Sequence, residues 1–257
     1  MFYDMHVHST FSVDGRSSMD EHCFEAIKKG LKAICFTDHV DFNKIEQNKG
    51  KIKDNRVQNF NIDEYFDEIN RMKRKYAQLK ILSGIEFSEP HLFTKEFSIY
   101  SEYPFDCILG SIHHCKNGIF PGAANLTEQQ AISEYYELME ATLEMGKFQV
   151  LAHLDFPRRY FDNWDINSIT RNRILKLLVD KGITLEINSS TIVSTSDEPM
   201  PTWNIIEEYR MAGGKQLVFG SDAHYIDRIG YGFEQVLARI PSNMLVGYYQ
   251  NRRFIEM

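Results

Sequence analysis

The sequence feature that most constrains the fold is a repeated pattern. A short apolar segment is followed by a histidine or a carboxylate, and then by an amphipathic segment with helical spacing. Short apolar runs are typical of strands buried in a parallel sheet, and apolar residues three and four positions apart indicate helices. The strand candidates are residues 3–7, 33–37, 81–85, 107–112, 149–152, 183–188 and 217–220. Strands that alternate with helices predict the α/β class, with a parallel sheet and helical crossovers.

The helical segments carry end signals of their own. Ser18 and Glu21 form a capping-box pattern before the first helix, and Thr127 with Gln130 repeats it before a long helix that runs to Gly146. Glycine directly after an apolar helical stripe is a usual stop signal. The helices are therefore predicted from caps as well as from periodicity.

Six of the seven strand candidates end in a histidine or a carboxylate. In a closed β/α barrel all strand ends share one face, and that face carries the chemistry. An open, doubly wound sheet binds ligands only where the strand order reverses. Convergence of six strand ends therefore favours a TIM-like barrel. No linker, repeat or low-complexity tract interrupts the pattern, so we expect residues 1–257 to form a single domain.

Composition excludes several functional classes. The chain has 257 residues, 43 % of them apolar and 25 % charged, so a sizeable core is available. A net charge of −7 and a pI of about 5.7 do not favour a nucleic-acid partner. No apolar run approaches the roughly 18–20 residues of a membrane span, and the N-terminus lacks a secretory signal pattern. The oligomeric state has no signature in this sequence.

The cysteines indicate the compartment. Four are scattered without a C-x-x-C spacing, at Cys23, Cys35, Cys107 and Cys115. Such cysteines are typical of reduced, mostly buried thiols. We therefore expect a cytoplasmic protein.

The polar groups at the strand ends have the composition of a metal site. His6 and His8 lie two residues apart, so in a strand they share one face with anchoring atoms roughly 6.5 Å apart. By itself, such a pair could also be two core histidines. The number of similar groups at the other strand ends argues against that interpretation. The set is His6, His8, Asp14, His39, Glu86, His113, His153, Asp222 and His224. Six imidazoles with three carboxylates suit zinc, iron or manganese better than calcium or magnesium, and their number predicts two to three ions.

The same motifs resemble a known superfamily. The pattern is His6-x-His8, Thr37-Asp38-His39, Gly84-Ile85-Glu86, Ser111-Ile112-His113, Ala152-His153 and Ser221-Asp222-Ala223-His224. It resembles the PHP (polymerase and histidinol phosphatase) superfamily, in the expected order from residue 6 to residue 224. Chain length and the strand at residues 185–188 are similar to its histidinol-phosphate phosphatases. The resemblance implies a distorted (β/α)7 barrel with a trinuclear metal site.

The resemblance also implies how the ligands are shared. The first metal would be held by His6, His8, Glu86 and Asp222. Glu86 would bridge to a second metal held by His113 and His153, and the third would be held by Asp14, His39 and His224. His113 is preferred to His114 because it directly follows Ser111-Ile112, in the family's position. Neighbouring side chains on a strand point to opposite faces, so His114 is expected to face elsewhere.

The mechanism implied is phosphomonoester hydrolysis by a hydroxide that bridges two metal ions. Glu86, Asp222 and His224 would be the catalytic residues at this centre. The proton for the leaving alkoxide could come from Asp222 or from a metal-bound water. Arg158 and Arg159 follow the strand that ends in His153, and Arg159 better fits the place of a phosphate-binding arginine in the resembled family. Either arginine could equally be a surface charge.

One segment departs from the family pattern. After the sixth strand candidate the phosphatases carry an arginine that contacts phosphate, whereas this chain continues Asn188-Ser189-Ser190 with no arginine nearby. The metal site is unaffected, but the substrate assignment is weaker. The polar stretch at residues 41–60 could supply phosphate-binding charge as a lid, or it could be a solvated loop.

The sequence leaves four hypotheses about function. The first is a metal-dependent phosphomonoesterase acting on L-histidinol phosphate, a small-molecule phosphate ester. The second is another PHP phosphoesterase, acting on a different phosphomonoester, a nucleotide or a phosphodiester. An amidohydrolase is less favoured because those barrels usually end with a lone aspartate on the last strand. A purely structural metal protein is least favoured because a structural zinc site needs only four ligands.

Overall fold

The computed structural model describes residues 2–43, 59–193 and 196–257. Its strands are β1 (Tyr3–Val7), β2 (Ala33–Phe36), β3 (His39–Val40), β4 (Lys80–Ser88), β5 (Cys107–Ser111), β6 (Val150–Leu151), β7 (Thr184–Asn188), β8 (Gln216–Gly220), β9 (Leu245–Gln250) and β10 (Arg253–Glu256). Its helices are α1 (Met19–Lys28), α2 (Ile62–Lys75), α3 (Thr94–Ser101), α4 (Glu128–Met145), α5 (Ser168–Asp180), α6 (Trp203–Met211) and α7 (Phe233–Leu237).

The sheet closes on itself. Its order is β1-β2-β4-β5-β6-β7-β8, with every neighbouring pair parallel. The backbone N–H of Asp222 donates to His6 O at 2.8 Å, and the N–H of His8 donates to Ala223 O at 2.9 Å. These bonds, with a parallel bridge between Val7 and Ala223, join the segment after β8 to β1. The predicted α/β class and barrel of parallel strands with helical crossovers are confirmed.

Both predicted capping boxes are present in the structure. The Ser18 hydroxyl accepts the backbone N–H of Glu21, whose side chain accepts from Ser18 in return. Thr127 and Gln130 make the same reciprocal pair before α4, and α4 ends at Gly146 with a φ of 61°.

Two parts of the sheet differ from the prediction. β3 is a two-residue strand after β2 that pairs with β4 and places His39 beside Glu86. At the other end of the chain, β9 adds in parallel to β8, and β10 folds back antiparallel to β9. The last strand predicted from sequence ends at residue 220, so this hairpin was not predicted. Both strands were missed because no helical segment separates them. Only Asn251 and Arg252 join β9 to β10, whereas the other strands were recognised from their alternation with helical segments.

The apolar residues form two separate clusters. The outer core lies between the sheet and the helices and includes Phe36, Ile85 and Phe87. The inner core lies inside the ring of strands and consists of Met5, Ala33, Cys35, Leu82, Cys107, Leu109, Val150, Ala152, Val218, Tyr248 and Tyr249. The two tyrosines come from β9, so the hairpin missed from sequence helps to close the inner core.

Other expectations meet the structure only partly. None of the helices among the described residues is both long enough and apolar enough to cross a membrane. All four cysteines are free and buried. Most of the 41–60 stretch, including Lys44, Lys49, Lys51, Lys53 and Arg56, lies outside the described residues.

Candidate metal centre

The first strand reaches the centre through a bulge. β1 pairs with β2 as Asp4 with Ile34, and then as Val7 with Phe36, so one extra residue lies on β1 between these pairs. Met5 belongs to the inner core, while Val7 packs in the outer core. A bulge re-aims side chains by breaking strict alternation. Met5, His6 and His8 can therefore all face the interior, and the Nε2 atoms of His6 and His8 lie 2.9 Å apart.

Glu86 lies at the middle of the group. Its Oε2 is buried and close to three imidazoles, yet it accepts no hydrogen bond from any described residue. Its Oε1 is close to two more imidazoles. The distances are 2.9 Å to His39 Nδ1, 3.3 Å to His6 Nε2 and 3.5 Å to His8 Nε2 from Oε2, and 2.8 Å to His153 Nε2 and 3.2 Å to His113 Nε2 from Oε1.

His113 and His153 reach this carboxylate by different routes. His113 continues the inward alternation of β5, which places Leu109 in the inner core. Its Nδ1 lies 2.8 Å from Ser88 Oγ, which orients the ring. His153 directly follows Ala152, another inner-core residue, and its φ of 26° turns the side chain inward. The two Nε2 atoms come within 3.2 Å of each other.

The opposite side of the centre comes from the segment after β8 and from the loop after β1. Asp222 has a φ of 54°, and its Oδ1 lies 3.3 Å from His8 Nε2 and 3.7 Å from His6 Nε2. His224 stacks on His8 with ring centroids 4.2 Å apart. Asp14 Oδ2 lies 3.2 Å from His224 Nε2. The nine predicted ligands are thus brought together by the fold.

This arrangement fits metal ions. Two nitrogens bound at about 2.1 Å to one tetrahedral zinc ion lie roughly 3.4 Å apart, close to the spacings in this centre. Among the described residues, four sets of side chains offer ligand atoms within 4.8 Å of one another. Three consist of predicted ligands, namely His6, His8 and Asp222; His8, His39 and His224; and His39, Glu86 and His113, and the fourth is Asp41, Glu89 and His114. A buried carboxylate oxygen without a hydrogen-bond donor, surrounded by imidazole nitrogens, is an unusual arrangement unless a cation is shared.

The carboxylates are held in the form that binds metals. Burial would raise the pKa of Glu86, but the neighbouring imidazoles of His113 and His6 lower it well below its usual value. Burial likewise opposes ionisation of Asp222, and His6 and Arg159 lower its pKa. Both are therefore ionised at neutral pH, as metal ligands must be.

His8 is held neutral. Burial lowers its pKa, and the neighbouring rings of His39 and His224 lower it further. A neutral imidazole has a free lone pair for a metal, and its other nitrogen needs a partner that fixes the ring. Here that partner is Ser12 Oγ, 3.2 Å from His8 Nδ1.

Two further carboxylates support the ligands from behind. Glu186 Oε1 lies 2.6 Å from His6 Nδ1, and its Oε2 accepts the backbone N–H of His153. Glu186 was not among the residues predicted to belong to the site. A glutamate inside an otherwise apolar strand was the available signal. Asp38 supports a ligand indirectly: its Oδ1 accepts the hydroxyl hydrogen bond of Ser12 at 2.7 Å, and Ser12 Oγ contacts His8 Nδ1.

The two arginines have different places. Arg159 Nη2 donates to Asp222 Oδ2 at 2.6 Å and to Ser190 Oγ at 2.7 Å, at the edge of the centre. Arg158 Nη2 instead donates to Thr191 Oγ1 and to the carbonyl oxygens of Glu198 and Pro199. Arg158 therefore holds the loop after β7, and its guanidinium is engaged away from the ligands.

The remaining histidines lie apart from the ligand group. His114 points away from Glu86, as predicted, with its Nδ1 3.2 Å from Glu89 Oε2. His91 bonds Thr142 on α4. His22 is buried on α1 with its ring edge against Phe36.

Comparison with known proteins gives a consistent result. The model of a family described as "PHP domain" matches residues 4–190. A protein of Thermotoga maritima named probable histidinol-phosphatase is 32 % identical over 238 residues, covering 92 % of this chain and 90 % of the relative. A Clostridium acetobutylicum protein of the same name is 32 % identical over 271 residues, covering 100 % of this chain and 99 % of its own.

A solved structure shares the fold. Histidinol phosphate phosphatase from Lactococcus lactis, crystallised with zinc, L-histidinol and phosphate, superposes with a TM-score of 0.81. It is 24 % identical, and the match covers 99 % of each chain.

Proposed function

Because this chain belongs to the PHP domain family, we propose that it is a metal-dependent phosphomonoesterase that hydrolyses L-histidinol phosphate to L-histidinol and phosphate. The observation that carries this proposal is Glu86, which is buried among five imidazoles with one oxygen free of hydrogen bonds. The substrate is supported by relatives named histidinol-phosphatase that are 32 % identical over nearly the whole chain. Residues 1–257 would act as one domain, and the four free cysteines support a cytoplasmic location.

The ligand set proposed is the one expected from sequence. It consists of His6, His8, Asp14, His39, Glu86, His113, His153, Asp222 and His224. Two to three zinc, iron or manganese ions suit these donors. When bound, such ions lower the pKa of water to near neutrality and stabilise the charge that develops on phosphate oxygens.

Arg159 is the proposed phosphate-binding side chain. It lies over the ring of Phe156 at 4.9 Å and remains one-third exposed. Its bonds to Ser190 and Asp222 use only part of its five N–H donors, so others can reach phosphate oxygens. Arg158 is better described as a positioning residue, because its contacts hold the loop that carries Ser190.

The acid–base roles follow from charge. His6 and Arg159 keep Asp222 ionised, so Asp222 would bind a metal ion and orient the attacking water by accepting a hydrogen bond from it. For the same reason it is a poor donor to the leaving alkoxide, and solvent water is the proposed source of that proton. Glu86 lies close to the imidazoles of His6, His8 and His39 through Oε2 and to those of His113 and His153 through Oε1. His224 pairs with Asp14 at the more exposed side of the centre.

The test is phosphate release by the metal-loaded protein. L-histidinol phosphate is compared with p-nitrophenyl phosphate, a nucleoside monophosphate, a phosphodiester and a simple amide. We expect a strong preference for L-histidinol phosphate, and loss of activity after chelation that returns with added metal. Preference for another phosphate ester would favour a different PHP phosphoesterase, a reading supported by the missing arginine after β7. Amide hydrolysis alone would overturn the proposal.

A further inference from the structure

One carboxylate beside the metal centre differs from the others in being accessible. Six carboxylates outside the ligand set are within two residues of a proposed ligand or hydrogen-bonded to one: Asp4, Asp38, Asp41, Glu89, Asp155 and Glu186. Five of them are at most 1 % exposed, whereas the side chain of Asp41 is 16 % exposed. Within this set, only Asp41 can touch a bound molecule.

Asp41 is held with one oxygen available. Its Oδ1 accepts the backbone N–H of Asn43 at 2.7 Å and the side-chain amide of Asn43 at 3.2 Å. Its Oδ2 lies 3.6 Å from His114 Nε2, which is beyond hydrogen-bond distance. No other described residue donates a hydrogen bond to Oδ2. The carboxylate is thus fixed in orientation by Asn43, while its second oxygen keeps its capacity to accept.

Asp41 is the accessible acidic group of this corner, and its ion-pair neighbour is His114, whose Nε2 lies 3.6 Å from Asp41 Oδ2. Glu89 is also acidic, but its Oε1 accepts the backbone N–H groups of His113 at 2.6 Å and His114 at 2.9 Å. Its Oε2 accepts the Asn43 amide and lies 3.2 Å from His114 Nδ1. Glu89 is therefore fully satisfied inside the protein, and a cation approaching from the centre would meet Asp41.

The position of Asp41 relates it to the substrate. It lies two residues after His39, just beyond the end of β3, and its neighbour His114 directly follows His113. Asp41 therefore borders the metal centre on the side of His39 and His113, whose ring centroids lie 5.4 Å apart. In L-histidinol phosphate the carbon next to the ester methylene carries an ammonium group, a donor with three N–H bonds.

We propose that Asp41 is a specificity-determining residue whose Oδ2 binds the ammonium group of L-histidinol phosphate. The inference rests on the proposed function, because it assumes that substrate. It assigns the amine to Asp41, the phosphate to Arg159 and the metal ions, and leaves Asn43 to hold Asp41 in place. It also gives a reason for selectivity over phosphate esters without a positive charge.

The experiment removes each partner of the proposed contact in turn. Asp41→Asn is compared with the parent protein on two substrates: L-histidinol phosphate, and the analogue with hydrogen in place of the ammonium group. Asp63→Asn, which removes an exposed carboxylate on α2, is the matched control for net charge. Metal content is measured for each protein, and binding of L-histidinol is measured without turnover.

We expect the parent protein to prefer L-histidinol phosphate over the analogue. In Asp41→Asn this ratio of kcat/KM should fall about tenfold to a hundredfold, the range for one hydrogen bond to a charged group. L-histidinol should bind correspondingly more weakly. Asp41→Glu should restore part of the preference, and Asp63→Asn should leave it unchanged.

The outcomes separate the two proposals. If Asp41→Asn lowers kcat/KM equally for both substrates, or loses metal, Asp41 supports the centre and the amine contact is overturned. If the parent protein does not distinguish the two substrates, the contact is also overturned, while phosphatase activity stands. If the parent protein hydrolyses other phosphate esters but not L-histidinol phosphate, the proposed function itself fails.

Discussion

The two ends of the barrel interior are built from the same strands but from opposite chemistry. At the end closed by β9, the interior holds Met5, Leu109, Val218 and Tyr248. At the other end it holds imidazoles and carboxylates that are equally buried. A step of a few residues along β4, from Leu82 to Glu86, crosses from one end to the other. We call these the apolar end and the metal end.

The difference shows where stability comes from. Burying apolar side chains stabilises the fold by roughly 25 cal/mol per Å². Burying ionised carboxylates and imidazoles costs free energy unless each is paired. Two residues at the metal end, His153 and Asp222, also have positive φ values, which a side chain other than glycine adopts only at a cost. Without metal, the metal end therefore contributes little to the stability of the fold, and most of that stability comes from the apolar end.

The largest expected effect is at the metal end. Glu86→Ala should abolish phosphate release, because it removes the carboxylate that joins five imidazoles. The fold should persist, since the apolar end is untouched. Turnover, metal content and circular dichroism check this, with Glu64→Ala on the surface of α2 as the control. Full activity of Glu86→Ala would refute the metal centre.

The converse prediction concerns the apolar end. Leu109→Ala should lower the free energy of unfolding by about 2–5 kcal/mol, the usual cost of deleting a buried leucine. Turnover per folded molecule should stay near that of the parent, because Leu109 pairs with Glu86 through its backbone, which the substitution leaves in place. Urea unfolding of the metal-free protein measures the change. Leu92→Ala, at a residue 49 % exposed, should change it little. An inactive but stable Leu109→Ala would mean that the two ends are not separable.

A third prediction concerns Glu186, which contacts both His6 and the backbone of His153. Glu186→Gln keeps the size of the side chain but weakens its bond to His6 Nδ1, which orients Nε2 towards the metal. Metal affinity should fall about tenfold to a hundredfold, as for other partners of ligating histidines. Competition with a chelator gives the affinity, and Glu102→Gln is an exposed control. Unchanged affinity would make Glu186 a packing residue only.

The smallest effect is expected at the closing hairpin. Tyr248 stacks on Tyr3 with ring centroids 4.6 Å apart and accepts a hydrogen bond from Lys80. Tyr248→Leu should cost on the order of 1 kcal/mol of stability beyond its change in buried area, with turnover unaltered. Thermal unfolding beside Ile255→Ala, an exposed position of β10, measures it. A loss of turnover here would show that strain passes from one end to the other.

Part of the centre was predictable because local periodicity specifies direction. His113 and not His114 points inward, as alternation along β5 requires, and His6 and His8 share a face for the same reason. The barrel itself followed from the order of strands and from polar residues at their ends. Neither inference needed a contact between distant residues.

Other parts were not predictable, because they depend on a break in that periodicity or on a distant partner. Met5 and His6 face inward together only through the bulge in β1, and His153 follows inner-core Ala152 and still points inward through its positive φ. Arg158 and Arg159 are adjacent in sequence and could each have been a surface charge, but the structure places Arg159 beside Asp222.

The sequence by itself determined the α/β class, the order of the strands and the residue types that converge at the metal end. Only the tertiary structure decided which backbone irregularities orient these side chains and which neighbouring groups hold them by hydrogen bonds. Glu186 and His6 are 180 residues apart along the chain. The physical reason is that periodicity fixes direction only along a regular strand, while closing the ring brings side chains from its two ends into contact.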